Sequence, residues 1–334
     1  MPLCNDPIRT YEALPETLRA PGLHPAYILA DARREPAAEP VFFAHREAGE
    51  CWWHGFHLHA VPGTDWFDVQ SAYGYGGPVS TSPDPDFLAG ADRAWSDWCR
   101  ERNVLAEFVR FHPLLENWRA FGGQVLPDRP TVWMDLTQAD ILASFETRAR
   151  TAVRKARKNG AAVRWVDRPA GTPELAAFAG LYRADMARLG ADPMYFFRDD
   201  YFQGLCAWEG VRLAVCEAGG DLLAAALFLA DGRILEYHLS AADEAGRRLG
   251  AVNLVLHEAA LRGRELGLEA FHLGGGFDAA PDNPLLFFKA GFSRQRAEFR
   301  IGKRIHRPGD YAALKARWEA QRGVTASKIL FYRF

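Results

Sequence analysis

The chain has 334 residues, of which 49% are hydrophobic and 25% are charged. This balance is that of a globular protein and excludes a disordered or fibrous chain, while the length suits two domains of ordinary size. The formal net charge of −2 argues against binding along DNA or other long nucleic acid, because that affinity comes from many phosphate contacts.

Signals for membranes, export and metals are weak. The longest apolar run, 222–230, is too short to span a bilayer, and residues 1–10 carry no secretory signal. The five cysteines include no CxxC pair, which is typical of a reduced compartment. His57 and His59 share one side of a strand, but no third metal ligand is indicated. We expect a cytoplasmic protein with no membrane span and no metal site.

Two hairpins are predicted at corresponding places in the two halves of the chain. The first begins at 41–46 and turns at 48–50, and the second begins at 211–216 and turns at 218–221. More strands are expected after each hairpin.

A helix and a strand then complete each half. The periodicity predicts a helix over 87–102 and a strand over 104–111 in the first half, and a helix over 251–266 and a strand over 268–273 in the second. The same order of elements occurs twice, which predicts a mixed α/β fold class with one α/β unit per half.

The segment between the halves predicts one continuous helix. Residues 137–140 match a capping box and 159–160 a C-terminal stop, and one face is apolar. Six Lys/Arg and no acid lie within 148–158. This cationic face either contacts phosphate groups, through Arg154 and Lys155 among others, or is a solvated surface.

The first half contains a loop in which tyrosine alternates with glycine, at 71–78. Tyr73 and Tyr75 either contact a ligand or form a β-turn on the surface. Arg110 ends the following predicted strand and either meets an anion or is an ordinary surface charge.

In the second half, a glycine flanked by arginines opens the helix that begins at 251. Arg247, Arg248 and Gly250 occupy the position of a pyrophosphate-binding loop, where free N–H groups and the helix dipole receive phosphate. The alternative is an ordinary N-terminal turn with solvated arginines.

A three-glycine turn and an apolar-flanked lysine follow at 271–293. Gly274, Gly275 and Gly276 allow positive φ and close approach of the backbone to a ligand. Lys289 follows four large apolar residues. Its ammonium group either stabilises developing negative charge in a partly dry site or reaches solvent past the Phe rings.

The C-terminal residues are basic. Between 294 and 334 there are eleven Lys/Arg and three acids, an excess that either binds a polyanion locally or forms a solvated tail. Arg300, Lys303 and Arg304 are the candidates for such contacts.

Together these features resemble the Fem family of aminoacyl-tRNA-dependent peptidyltransferases, a branch of the GNAT N-acyltransferase superfamily with two GNAT-like domains. The resemblance covers most of the chain. It rests on four motifs: YGYGGP at 73–78, RxxVRKARKNG at 150–160, LYRADMARLG at 181–190 and LGGG…LLFFKAGF at 273–292.

The resemblance implies tandem GNAT-like domains, each a mixed central sheet flanked by helices. The N-terminal domain is expected over 1–160, joined by 315–334 where the C-terminal residues fold back, and the C-terminal domain over 161–314. No coiled-coil insertion is expected, because the chain lacks the long charged helical hairpin of some cell-wall members.

The resemblance also implies a site in which Phe288 and Lys289 line the catalytic cleft and the basic second domain receives the tRNA acceptor end. The residues expected to bind the acceptor are Arg188, Tyr237, Tyr73, Tyr75 and Arg110. The residues expected to bind the donor or its tRNA are Arg247, Arg248, Gly250, Gly274, Gly275, Gly276, Arg154, Lys155, Arg300, Lys303 and Arg304.

The expected reaction needs no cofactor. An aminoacyl ester is already activated, so an amine attacks it without ATP or metal. The expected partners are charged tRNA as donor and, as acceptor, an amine of a peptide, a peptidoglycan precursor or a small natural product. Two alternatives stay open: an N-acetyltransferase that uses acetyl-CoA, and a non-catalytic module that binds a peptide or cell-wall precursor.

Overall fold

The computed structural model describes residues 4–35, 37–280 and 282–334. In this described part of the chain, no helix combines the length and apolar character needed to cross a membrane.

Two compact units divide the chain. The first unit comprises Met1–Asp128 and Phe299–Phe334, and the second comprises Arg129–Glu298. This division differs from the predicted domains 1–160 and 161–314, because the helical segment near position 150 packs into the core of the second unit and the chain beyond 298 pairs with a strand of the first.

The secondary structure alternates between strands and helices in both units. From the N-terminus to the middle of the chain the elements are α1 (Pro7–Glu12), α2 (Pro25–Asp31), β1 (Glu39–Glu47), β2 (Glu50–Ala60), β3 (Phe67–Gln70), β4 (Val79–Ser80), α3 (Pro85–Glu101), β5 (Val104–Arg110), β6 (Gln124–Asp135), α4 (Ile141–Ser144) and α5 (Thr147–Lys158). They continue with β7 (Ala162–Val166), α6 (Pro173–Leu189), α7 (Asp199–Cys206), β8 (Val211–Ala218), β9 (Asp221–Asp231), β10 (Ile234–Ala242), α8 (Glu244–Leu249), α9 (Ala251–Glu265), β11 (Ala270–Gly275), α10 (Pro284–Ala290), β12 (Arg296–Ile305) and α11 (Pro308–Arg322).

In the first unit the strand order is β1-β2-β3-β5-β12, with β4 paired to β2. The neighbours are antiparallel except β3 and β5, which are parallel and connected through α3. Aromatic rings fill the core between this sheet and α3, where Trp95 and Trp98 stack with centroids 5.1 Å apart. Leu314 and Phe331 pack with Val61 and Leu105, which attaches the C-terminal residues to this unit.

In the second unit the strand order is β6-β11-β10-β9-β8-β7. The one parallel pair among the described strands of this unit is β10 and β11, which α9 connects. Helices α5 and α9 cover the core, and Gly250, just before α9, lies so close to α5 that an added Cβ would be 3.1 Å from Ala152. Glycine at this position therefore lets the two helices pack together.

The predicted duplication and the mixed α/β class are confirmed. The series β1-β2-β3-α3-β5 and β8-β9-β10-α9-β11 have the same order, and in each the last two strands form the parallel pair. The helix predicted over 87–102 is α3, and the helix predicted over 251–266 is α9.

The single helix predicted between the halves is wrong. The chain forms α4 and α5 with a break at Phe145, whose backbone is extended and whose ring is buried 5.1 Å from that of Phe292. The N–H of Glu146 donates to the carbonyl of Gly291 at 2.8 Å, outside any helical pattern. Burying Phe145 is favourable enough to interrupt a periodic sequence, since a buried Phe side chain stabilises by roughly 1.5–3 kcal/mol.

The predicted capping box is also wrong. Asp140 caps α4 by accepting from the N–H of Ala143 at 3.0 Å. Thr137 instead donates through its hydroxyl to Asp135 at 2.6 Å, so it belongs to the turn before the helix.

Candidate active site

The amine of Lys289 is the most chemically unusual group of the second unit. Lys289 lies on α10 with 8% of its surface exposed, and its Nζ donates to the carbonyl of Gly275 at 2.8 Å. Burial lowers the pKa of Lys289 to about 7, because desolvation disfavours the charged form. Near neutral pH this amine therefore exists in both protonation states.

Tyr237 forms one wall around this amine. Its ring centroid lies 5.9 Å from Nζ of Lys289, within the range of a cation–π interaction. Burial raises the pKa of Tyr237 to about 12, and its hydroxyl is hydrogen-bonded to Ser240. The phenol therefore stays neutral wherever Lys289 titrates.

Two of the three glycines approach protein groups closely, and the third has a positive φ. Gly274 has φ 78°, at an irregularity in the pairing of β11 with β6. An added Cβ would lie 3.0 Å from the carbonyl oxygen of Pro130 at Gly275, and 2.5 Å from the side chain of Asn283 at Gly276. Much of the space that these glycines leave is thus filled by the protein itself, which the sequence analysis did not anticipate.

Asn283 sets the start of α10 and was missed by the sequence analysis. Its buried side chain accepts from the N–H groups of Leu285 and Leu286, each at 3.1 Å, and donates to Asp278 at 2.8 Å. This hydrogen bond is the main reason that the pKa of Asp278 is lowered. The Asn-Pro pair at 283–284 is a helix-start signal that could have identified the cap.

The two phenylalanines before Lys289 have different environments. Phe288 is half-buried and meets the ring of Phe292 edge-on at 5.2 Å. Phe287 is 64% exposed, and the guanidinium carbon of Arg148 lies 3.5 Å from its ring centroid. Phe288 was a predicted site residue, whereas Phe287 and Arg148 were not.

Three of the arginines predicted to bind substrates are paired with acids in the second unit. Arg188 and Arg247 both contact Asp185, at 2.8 and 3.0 Å. Arg248 contacts Glu244 at 2.6 Å. The structure thus brings a predicted acceptor residue and a predicted donor residue onto one carboxylate.

Gly250 lies between α8 and α9 with φ 80°. Lys155 donates from Nζ to the carbonyl of Arg248 at 2.7 Å, and Arg154 is exposed on α5. These residues form a basic surface beside the start of α9.

Tyr73, Tyr75 and Arg110 lie in the first unit. Nη2 of Arg110 donates to the carbonyls of Ser71 and Ala72 at 2.9 and 3.2 Å, and burial lowers its pKa. Arg110 therefore holds the backbone of the tyrosine loop, a contact that was not predicted from the sequence.

The tyrosines of this loop are packed into the first unit. The N–H of Tyr73 donates to Asp31 at 2.8 Å, and the ring of Tyr75 meets those of His112 and Phe299 edge-on. In the same unit, His57 contacts the carbonyl of Ile28 at 2.9 Å.

The basic residues of β12 belong to the first unit rather than to the predicted second domain, because this part of β12 pairs with β5. Arg304 is bidentate with Asp92, at 2.5 and 3.1 Å. The guanidinium of Arg300 lies 4.7 Å from the ring centroid of Trp118, and Lys303 is half-buried. Arg304 is therefore neutralised within the fold.

Comparison with known proteins relates this architecture to acyltransferases. Residues 143–281 match the family model described as an acetyltransferase (GNAT) domain. No curated protein matches the sequence.

Several solved structures share the fold at low sequence identity. FemX is 16% identical with a TM-score of 0.72, and the match covers 94% of this chain and 100% of FemX. L-PGS from Bacillus licheniformis is 14% identical with a TM-score of 0.55, over 85% of this chain and 94% of that one. A conserved protein of unknown function from Bacteroides thetaiotaomicron is 10% identical with a TM-score of 0.60, over 90% and 99%. Residues 143–281 are thus similar to a GNAT acetyltransferase domain, and the fold of the chain is similar to that of FemX.

Proposed function

We propose that this protein is an aminoacyltransferase that moves an amino acid from a charged tRNA to an amine and forms an amide bond. The observation that carries the proposal is the buried amine of Lys289, hydrogen-bonded to the Gly275 carbonyl within a Fem-like fold. The likeness to FemX, together with the motifs shared with the Fem family, supports charged tRNA as donor. The acceptor class is an amine of a peptide, a peptidoglycan precursor or a small natural product.

The reaction requires a cation that is positioned to stabilise the oxyanion, and it requires no cofactor. The acceptor nitrogen attacks the ester carbonyl, and a C–N bond forms while the carbonyl oxygen becomes an oxyanion. The tetrahedral intermediate then breaks the C–O bond to the ribose, and the proton lost by the amine passes to the ribose oxygen. The Lys289 ammonium keeps two N–H groups beyond the one given to Gly275, and these donate to the oxyanion.

Burial makes this donor effective. In a site with little water, charge-assisted hydrogen bonds to an oxyanion are stronger than in solution. Removing one such donor typically lowers kcat about 10²–10³-fold. Tyr237 supports the same role, because its neutral ring faces the cation without neutralising it.

An acyl-CoA-dependent N-acetyltransferase is the second candidate. It is favoured by the family model over 143–281 and by Gly250 at the start of α9. The pairing of Arg247 with Asp185 and of Arg248 with Glu244 weighs against it, because a pyrophosphate would have to displace both acids.

The deciding experiment offers the purified protein both donors at once. Mixed charged tRNAs, acetyl-CoA and candidate amines are incubated together, and products are identified by mass, with and without RNase. We expect an aminoacyl amide that RNase abolishes and that Lys289→Met does not form at an appreciable rate. Acetylated amine formed equally well after RNase would replace the proposal with the second candidate.

A further inference from the structure

An open cavity of about 810 Å³ lies in the second unit beside α4, the start of α5 and the segment 293–295. Its lining includes three arginines, Arg148, Arg150 and Arg294, and one acid, Glu146. Three positive charges less one negative charge leave a formal +2. Hydroxyl and amide side chains complete the polar lining.

The arginines keep most of this charge. Glu146 forms an ion pair with Arg148 at 2.8 Å. Arg150 is held by the carbonyls of Ala143 and Phe145 and by the hydroxyl of Thr147, so its partners in the described residues fix the guanidinium without neutralising it. Arg294 is exposed. An anion in the cavity therefore contacts Arg150, whose guanidinium is held in place, and Arg294, which is exposed.

An aromatic surface adjoins the cavity. Arg148 lines the cavity and also covers one face of the Phe287 ring at 3.5 Å, while 64% of Phe287 stays exposed. An exposed ring next to cations is the combination that binds nucleotides, because bases stack on aromatic faces while arginines hold phosphate.

We propose that this cavity binds a nucleotide, with its phosphate at Arg150 and Arg294 and its base on Phe287. The inference rests on the proposed function, since a charged tRNA ends in nucleotides, although acyl-CoA also carries an adenine nucleotide. Phe287 and Lys289 lie two positions apart on α10, so their side chains point about 200° apart around the helix. The cavity is thus an anchor for the donor that is separate from the Lys289 ammonium group.

The direct test is equilibrium binding of AMP to the full chain at low ionic strength. We expect Arg294→Glu and Phe287→Ala each to weaken binding about tenfold or more, as expected for loss of a charged contact or a stacked base. Arg168→Glu is the matched control, because Arg168 is exposed in the same unit but does not line the cavity. An Arg294→Glu affinity equal to that of the parent, or an equal loss in Arg168→Glu, would overturn the proposal.

Kinetic measurements and binding of other ligands distinguish donor binding in the cavity from catalysis at Lys289. With the donor that the chain uses, a CCA-ended charged RNA or acyl-CoA, we expect Arg294→Glu to raise KM about tenfold with little change in kcat. If Arg294→Glu raises KM for acyl-CoA, the cavity binds the donor nucleotide, but the donor is not charged tRNA. If the variant transfers from charged RNA with an unchanged KM, the proposed function stands and nucleotide binding by the cavity is excluded. Arg294-dependent binding of phosphatidylglycerol vesicles without AMP binding would assign the cavity to a lipid headgroup and overturn the inference.

Discussion

Lys289 combines burial of its amine with a hydrogen bond to a backbone carbonyl. The amine donates to this carbonyl instead of to a carboxylate. An acid at the same place would raise the lysine pKa and neutralise the charge that an oxyanion needs, whereas a carbonyl orients the amine and leaves the charge intact. Burial of the amine is the cause of the lowered pKa of Lys289.

Replacing Lys289 tests the role of this charge. We expect Lys289→Met to lower kcat about 10²–10³-fold with a small change in the acceptor KM, because the lost contact forms in the transition state. Steady-state kinetics measure the split, and circular dichroism checks the fold. A kcat within threefold of the parent would remove Lys289 from the catalytic site.

The pKa of Lys289 predicts a pH dependence. The protonated form, which donates to the oxyanion, predominates below about 7 and is lost as pH rises through that value. We therefore expect kcat, measured with saturating substrates, to fall above about pH 7, and the falling limb to move to higher pH in Lys289→Arg, whose charge persists. A kcat that instead rises through pH 7 would assign the neutral amine a role as general base.

At the scale of elements, the position of Lys289 depends on a short helix and the loop that starts it. Helix α10 has seven residues, too few to be stable alone. Asn283 caps it and is tied to Asp278, while Gly276 leaves room for the Asn283 side chain. The loop therefore holds α10, and with it Lys289, in place.

The substitution Asn283→Ala tests the role of the cap at the start of α10. Loss of the cap is expected to destabilise the start of α10 by about 1 kcal/mol and to lower kcat, because Lys289 is no longer held against Gly275. Hydrogen exchange of the α10 amides should increase more than that of α9. Asp282→Ala is the control, since Asp282 is exposed beside the cap, and an equal effect of the two substitutions would contradict the capping role.

At the scale of the whole molecule, two units share one order of elements but differ in what they bury. The second unit buries Lys289 as well as His257 and His272, whereas the first buries His54 in an aromatic core. His54 is fully buried among Trp52, Phe56 and Trp95, and no hydrogen bond reaches either ring nitrogen from the described residues. Burial lowers its pKa to about 4.

This burial predicts acid sensitivity of the whole chain. The unfolded state takes up a proton at His54 near pH 6.5 and the folded state only near 4, so stability is complete above pH 6.5 and falls as pH drops towards 4. One such group contributes up to about 3 kcal/mol over this interval. Urea unfolding from pH 7 to 4 should show a shallower loss of stability in His54→Leu, and an unchanged slope would exclude His54 as a cause.

The class of fold and the order of its elements follow from the sequence. Alternating and helical periodicities are local properties, so the hairpins at 41–60 and 211–231 and the helices α3 and α9 could be predicted from them. Lys289 could also be identified from the sequence, because it is a lone cation that follows four large apolar residues.

The surroundings of those residues, in contrast, depend on tertiary contacts. The break at Phe145, the pairing of Arg188 and Arg247 with one carboxylate and the return of β12 to the first unit all depend on contacts between residues far apart in sequence. The burial of Phe145 outweighs the local preference for helix, and an arginine's partner depends on which acid the fold brings within reach. Such contacts leave no periodic signal, because their energy comes from neighbours that the chain acquires on folding.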